Sequence, residues 1–213
     1  MKRLLPLILV AACAAVPGKP GEREIFNAGL RQAWANEAQT MSAVRPPLRF
    51  ANGRTVRDCH GYLAEHASGT VDEAVNNRGI AQAYLVCDAL AQLDQAKALA
   101  PAAALPPSYG RELLQRLDLR SFPSSLRPRL GEKFTLAAIG GAVPQIETHA
   151  VTLETEDWRY RFEVIADIVA ADGRREWLVW FSDEAKAGNY RGYATLRLPV
   201  AAARGLITAI AAP

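Results

Sequence analysis

The feature that most restricts the fold is a strict alternation in the last third of the chain. Trp158, Tyr160, Phe162, Val164, Ala166 and Ile168 occupy every second position, with Arg159, Arg161, Glu163 and Asp167 between them. A period of two sends successive side chains to opposite sides, so this stretch predicts a strand with one apolar face. Asp172-Gly173 follows, a favoured pair for a two-residue hairpin turn. Such a turn pairs Ile168 with Trp177, Ala166 with Val179 and Val164 with Phe181, placing all six on one face. A preceding turn at Glu156-Asp157 pairs Leu153 with Tyr160 and Val151 with Phe162, and sets Glu154 opposite Arg159. A further strand over 190–200 adds Ala194, Leu196 and Leu198. The expectation is a four-strand antiparallel meander with one face covered.

Upstream the period lengthens to that of helices. Ile25, Phe26, Leu30, Ala33, Trp34 and Met41 recur on one side of 22–42, and Pro46-Pro47 ends that element. A second helix is predicted from Val56 to His66, capped by Thr55 with Asp58 three positions on. Thr70-Val71-Asp72-Glu73 repeats the pattern and opens a longer helix to Leu99, whose inner stripe is Ile80, Ala83, Cys87 and Leu90. Ser108–Leu117 reads as a short helix. Helices first and strands afterwards define an α+β class. The regions are then 22–133, helical, and 134–213, sheet, packed together as one globular unit. Residues 201–213 are Ala-rich and read as a short helix or a frayed tail. Arg111, Arg116, Arg120, Arg127, Arg129 and Lys133 make the intervening segment basic. It reads as a solvated connector, the alternative being a surface for anionic lipid or cell-wall polymer.

The first residues address a compartment. Lys2 and Arg3 precede a short apolar run, Leu4 to Ala12, and the stretch reads as a cleaved signal over 1–12. Val10-Ala11-Ala12-Cys13 resembles the lipobox of bacterial lipoprotein precursors, which implies lipidation at Cys13 and a membrane anchor, with 13–21 as a tether. The alternative is cleavage after Ala12-Cys13-Ala14, which discards Cys13. Either way Cys59 and Cys87 remain as an even pair in an export compartment where disulfides persist. Both lie on apolar helix sides, as a bridge stapling two helices requires. Loss of Lys2 and Arg3 leaves 23 basic against 22 acidic residues. That balance argues against nucleic acid as a partner.

Few residues form a chemical constellation. His60 and His66 are six apart and share no helix face. Glu154, Glu156, Asp157 and Glu163 crowd one hairpin, where Arg159 and Arg161 read as ion-pair partners. No nucleophile elbow, phosphate loop or dinucleotide fingerprint occurs, and no cofactor is expected. The stretch 168–176 resembles the calcium loops of FG-GAP-type and dockerin-type repeats at Asp172, Gly173 and Glu176, with Asp167 one position early. Ile168 and Ala170 stand where ligands belong, so the loop is read as degenerate and without a metal. The order of parts, a lipobox, stapled helices, an Asp-Gly hairpin and an aromatic strand pair, resembles uncharacterised predicted lipoproteins of Gram-negative bacteria. The resemblance implies an envelope location and no activity. With Ala14 rather than Asp after the cysteine, it implies the outer membrane, periplasm-facing.

Trp177 and Phe181 read as core, and Trp180, Tyr190, Arg191 and Tyr193 as a binding surface for an envelope protein or polymer. The expectation is a non-enzymatic binding or structural lipoprotein. Two alternatives stand beside it: a periplasmic cell-wall hydrolase using Glu154, Asp157 or His149, and a small protein inhibitor of an enzyme.

Overall fold

The computed structural model describes residues 24–100, 108–200 and 205–211. The expected signal, Cys13 and the tether lie outside the described residues. Helices are α1 Ala28–Ala35, α2 Glu37–Ser42, α3 Cys59–His66, α4 Val75–Ala81, α5 Leu85–Gln95 and α6 Tyr109–Arg116. Strands are β1 Leu48–Arg49, β2 Thr55–Val56, β3 Ala98–Leu99, β4 Val143–Ile146, β5 Ala150–Glu154, β6 Trp158–Val169, β7 Arg175–Ala185, β8 Arg191–Pro199 and β9 Ile210–Ala211. No helix among them is long and apolar enough to cross a membrane. The class is α+β, and the expected meander, β5 to β8, is the middle of a seven-stranded sheet.

The Glu156-Asp157 turn behaves as the alternation requires, with Val151 opposite Phe162 and Leu153 opposite Tyr160. Arg159 Nε lies 3.3 Å from Glu154 Oε1 across the same pair. The Asp172-Gly173 turn does not behave so. Gly173 N–H donates to Ala170 O at 2.8 Å, Ala170 N–H to Arg174 O at 2.8 Å, and Gly173 has φ +85°. That is a three-residue loop, a type I turn followed by a left-handed glycine.

The register slips accordingly. Ile168 faces Glu176, Asp167 faces Trp177 and Ala166 faces Leu178, while beyond an irregularity between Val164 and Ala166 the pairs are Val164–Val179 and Phe162–Phe181. An extra residue in one strand reverses which way all later side chains point. Phe162, Val164, Trp177, Val179 and Phe181 therefore join one core cluster, whereas Ile165, Ala166, Ile168 and Leu178 join another on the opposite face. The expected single apolar face is two, and both are covered.

One cover is α6 with the segment after it. Leu117, Leu119, Phe122, Leu126, Leu130 and Leu136 are all buried against the first face. The expected solvated connector is thus a layer of the core. Part of its positive charge is engaged: Arg120 pairs with Asp118 at 2.8 Å and lies 3.8 Å over the Phe134 ring. The second face is covered by α1 and α5 through Leu30, Ala89, Leu90 and Leu93. A third cluster, including Leu48, Phe50, Tyr62 and Tyr84, surrounds the bridge. The Cys59–Cys87 bond has Sγ atoms 2.04 Å apart and joins α3 to α5.

Helix boundaries differ from expectation where backbone groups of β6 need partners. β6 pairs with β5 only over Arg159–Glu163, leaving the rest of that edge open. A buried N–H or C=O without a partner is costly, and two segments expected to be helical supply partners instead. Ile25 bridges Ala166, with Phe26 N–H donating to Ile165 O at 2.8 Å. Ala98 and Leu99 pair with Val169 and Ile168. The helix expected over 22–42 begins only at Ala28, capped by the Asn27 side chain, and breaks at Asn36. Asp58, rather than Thr55, caps α3, its carboxylate accepting from Gly61 N–H at 2.7 Å, while Thr55 and Val56 pair with β1. The long helix expected from Thr70 is α4, a tight turn over 82–84 and α5. The tail over 205–211 is extended: Ile207 bridges Leu117 and β9 pairs with β8.

Candidate functional site

Strand period places Arg191, Tyr193 and Thr195 on the helix-facing side of β8. Thr195 Oγ1 reaches Leu85 O, at the start of α5, at 3.4 Å. Three residues on from Leu85, Asp88 turns toward the same side. Tyr62 and His66, one helical turn apart on α3, close the far side. Tyr62, His66, Asp88, Arg191 and Tyr193 line a cleft of about 240 Å³ between the helical layer and β8, together with Arg78 and Tyr190.

Asp88 is the chemical centre of this cleft. Its side chain belongs to a residue only 8% exposed, and Oδ2 accepts a 3.0 Å hydrogen bond from the Tyr62 hydroxyl. Among the described residues no Lys, Arg or His nitrogen lies within 4.0 Å of the carboxylate. Burial pushes its pKa from 3.8 up to about 6, against the opposing pull of His66 and the Tyr62 hydroxyl. The Tyr62 phenol is driven far upward by burial and by the Asp88 charge. His66 stacks on the Tyr62 ring at 5.0 Å.

The opposite wall is basic and aromatic. Arg191 Nη1 donates to Ala185 O and Tyr190 O, each at 2.7 Å. Glu184 stands opposite Arg191 in the register, and its Oε1 accepts from the Tyr193 hydroxyl at 2.9 Å. Burial and that carboxylate push Tyr193 up to about 12. Arg78 lies 4.9 Å over the Tyr190 ring and pairs with Glu73 at 2.8 Å. Asp72 pairs with Arg49 at 2.9 Å. Asp88 and Arg191 are thus the charges of the cleft with no ion-pair partner among the described residues.

Of the four residues chosen from the sequence, Tyr190, Arg191 and Tyr193 meet in this cleft. Trp180 does not: it packs against the cluster beneath α1 and α5, its indole N–H buried without an acceptor among the described residues. Sequence reasoning missed Tyr62, His66 and Asp88. The legible signal was Asp88 itself, a carboxylate inside the apolar run Val86-Cys87-Asp88-Ala89-Leu90.

The other candidates stay apart. His149 stacks on Phe26 at 4.3 Å in a separate cleft of about 300 Å³ with Arg161 and Glu163. Glu147 beside them is held below the usual carboxylate range by Arg161, 2.7 Å away. Glu154 is engaged by Arg159 and Lys186 at the far end of β5. Five residues of extended chain separate it from His149 by ~17 Å, and Asp157 lies further along, so His149 pairs with neither carboxylate.

The residues of the calcium-like loop diverge too. Asp167, fully buried, is held by Arg175 at 2.6 Å and by the Tyr109 hydroxyl at 3.3 Å. The Arg174 backbone N–H and then its side chain, 2.6 Å from Asp172, hold the Asp172 carboxyl below its ordinary value. Glu176, fully buried on the other face of the sheet from Asp167, pairs with Arg197 at 2.6 Å. Each carboxylate has its own arginine and none shares a ligand sphere. Comparison with protein-family models, with curated proteins and with solved structures finds no match to this chain.

Proposed function

We propose that the protein is an exported cell-envelope lipoprotein, anchored through Cys13, that binds another envelope component non-enzymatically in the cleft between α3, α5 and β8. Export is supported by the signal-like residues 1–13 and by the buried Cys59–Cys87 bridge, since such bonds persist in oxidising compartments. The non-enzymatic reading is supported by the separation of His149 from Glu154 and Asp157. The single observation that carries the binding reading is Asp88, a nearly buried carboxylate with no ion-pair partner within 4.0 Å among the described residues, lining the same aromatic-walled cleft as Arg191.

Two measurements test this. The intact mass of the protein from the envelope fraction is expected to start at an acylated Cys13 and to rise by two hydrogens on reduction. An unlipidated mass starting at Ala15 or later removes the anchor. For the cleft, envelope material retained by the immobilised protein is compared with that retained by an Arg191→Ala, Tyr193→Ala double variant. Retention is expected to collapse. Equal retention by both proteins rejects this cleft as the binding site.

A further inference from the structure

Of the charges lining the cleft, Asp88 on α5 and Arg191 on β8 are of opposite sign, and neither has an ion-pair partner within 4.0 Å among the described residues. We infer that the ligand of this cleft is a small zwitterion, an α-amino acid or the free ends of a short peptide, with the ammonium group on Asp88 and the carboxylate on Arg191. The inference rests on the reading of the cleft as the binding site.

The carboxylate end is argued from what Asp88 lacks. Tyr62 occupies Oδ2, whereas Oδ1 accepts no hydrogen bond among the described residues and is not sealed from the cleft. A carboxylate this buried requires a cation and further donors to offset its desolvation. A primary ammonium supplies a positive charge and three N–H donors in one compact group. The stacked Tyr62 and His66 rings flank the place it would occupy, and aromatic faces favour a cation.

The guanidinium end follows from how Arg191 is held. Its Nη1 is pinned by two backbone carbonyls, which orients the plane of the fork. Nε and Nη2 donate to nothing among the described residues. A pre-positioned guanidinium edge is the natural partner of a carboxylate.

Ligands of a single sign fit less well. An anion alone would meet Asp88, Asp72 and Glu73, and a cation alone would meet Arg78 and Arg191. A neutral sugar supplies no charge for Asp88. The volume of about 240 Å³ is about eight waters' worth at ~30 Å³ each, the scale of an amino acid or a dipeptide.

The titratable and charged groups that line the cleft with Asp88 are Tyr62 and His66 from α3, Asp72 and Glu73 before α4, Arg78 from α4, Tyr190, and Arg191 and Tyr193 from β8; Asp72 and Glu73 are each paired with an arginine. With Asp88 titrating at about 6, the fraction able to receive an ammonium falls about tenfold between pH 7 and pH 5, and affinity falls with it.

The test is calorimetric titration of the purified full chain with glycine, D- and L-alanine and the corresponding alanyl-alanines. Each is run beside its N-acetyl and its C-amide form. Free zwitterions are expected to bind at pH 7, either blocked form at least tenfold more weakly, and all of them about tenfold more weakly at pH 5. Asp88→Asn, which keeps an acceptor for Tyr62, and Arg191→Gln are each expected to abolish binding in proteins that melt cooperatively. Equal binding of blocked and free ligands, or undiminished binding by Asp88→Asn, overturns the inference. So does no binding by any probe at millimolar concentration. If envelope retention still depends on Arg191 and Tyr193 in that case, the ligand class fails while the cleft stands. If retention is also indifferent to them, both readings fall.

Discussion

Replacing Asp88 with Asn is expected to make the protein more stable at neutral pH. The carboxyl titrates near 3.8 in an unfolded chain and at about 6 in the folded one. Between those values the native state binds more protons than the unfolded state, so this group's contribution to stability falls as pH rises across that window. Above pH 6 the interval corresponds to about 3 kcal/mol of penalty on the ionised native form. Asn has nearly the same shape, carries no charge and retains an oxygen for the Tyr62 hydroxyl. The variant should therefore gain about 2–3 kcal/mol at pH 8 and about half of that at pH 5, with the gain vanishing below pH 4. In a domain of this size that is a rise in Tm of roughly 5–10 °C at pH 8. Urea unfolding of both proteins from pH 3.5 to 8.5 measures it. The difference between the two curves isolates Asp88 from carboxylates that titrate in both, such as Glu147 and Asp172. A variant less stable than the parent at pH 8 would refute the reasoning. A difference that does not change with pH would do the same, since either result means the carboxylate has a cation in solution.

Three further outcomes follow from the packing. Replacing Cys59 and Cys87 together by Ser opens a link spanning 28 positions, which should lower stability by roughly 3–4 kcal/mol in the chain-entropy account, read as a fall in melting temperature matched by reductant on the parent. Gly110→Ala should destabilise by about 1–3 kcal/mol or more although Ala favours helix, because a Cβ there runs into the backbone carbonyls of Ala150 and Glu147; a neutral result in urea would show that α6 can lift from β5. Arg175→Met leaves the fully buried Asp167 with only the Tyr109 hydroxyl and should cost about 3 kcal/mol. Adding Asp167→Asn should recover most of that loss, as a double-mutant cycle would reveal.

Much of this protein is written in local patterns. The alternation from Trp158, the Glu156-Asp157 turn and the stripe on β8 determine the meander, since a period of two needs only neighbouring residues to be read. The pairing of Cys59 with Cys87 and the α+β class are legible on the same ground. Tyr190, Arg191 and Tyr193 stood out because three large or charged side chains close together in a strand are conspicuous one residue at a time.

Other features depended on groups distant in sequence. The bulge near Ile165 turned one apparent apolar face into two, because a single extra residue reverses the pleat and no composition marks it. Ile25 and Leu99 left their helical patterns for the open edge of β6, where backbone hydrogen bonds outweighed local propensity. Leu119, Phe122 and Leu130 lie between prolines without a period, yet they cover a face that only the folded sheet creates. Asp88 owes its raised pKa to α3, α4 and β8 closing around it, and its lack of an ion-pair partner among the described residues is set by that packing. Periodicity is a property of adjacent residues, whereas desolvation and charge pairing are properties of the space between elements, so the sequence determined the strands and tertiary structure alone decided the cleft.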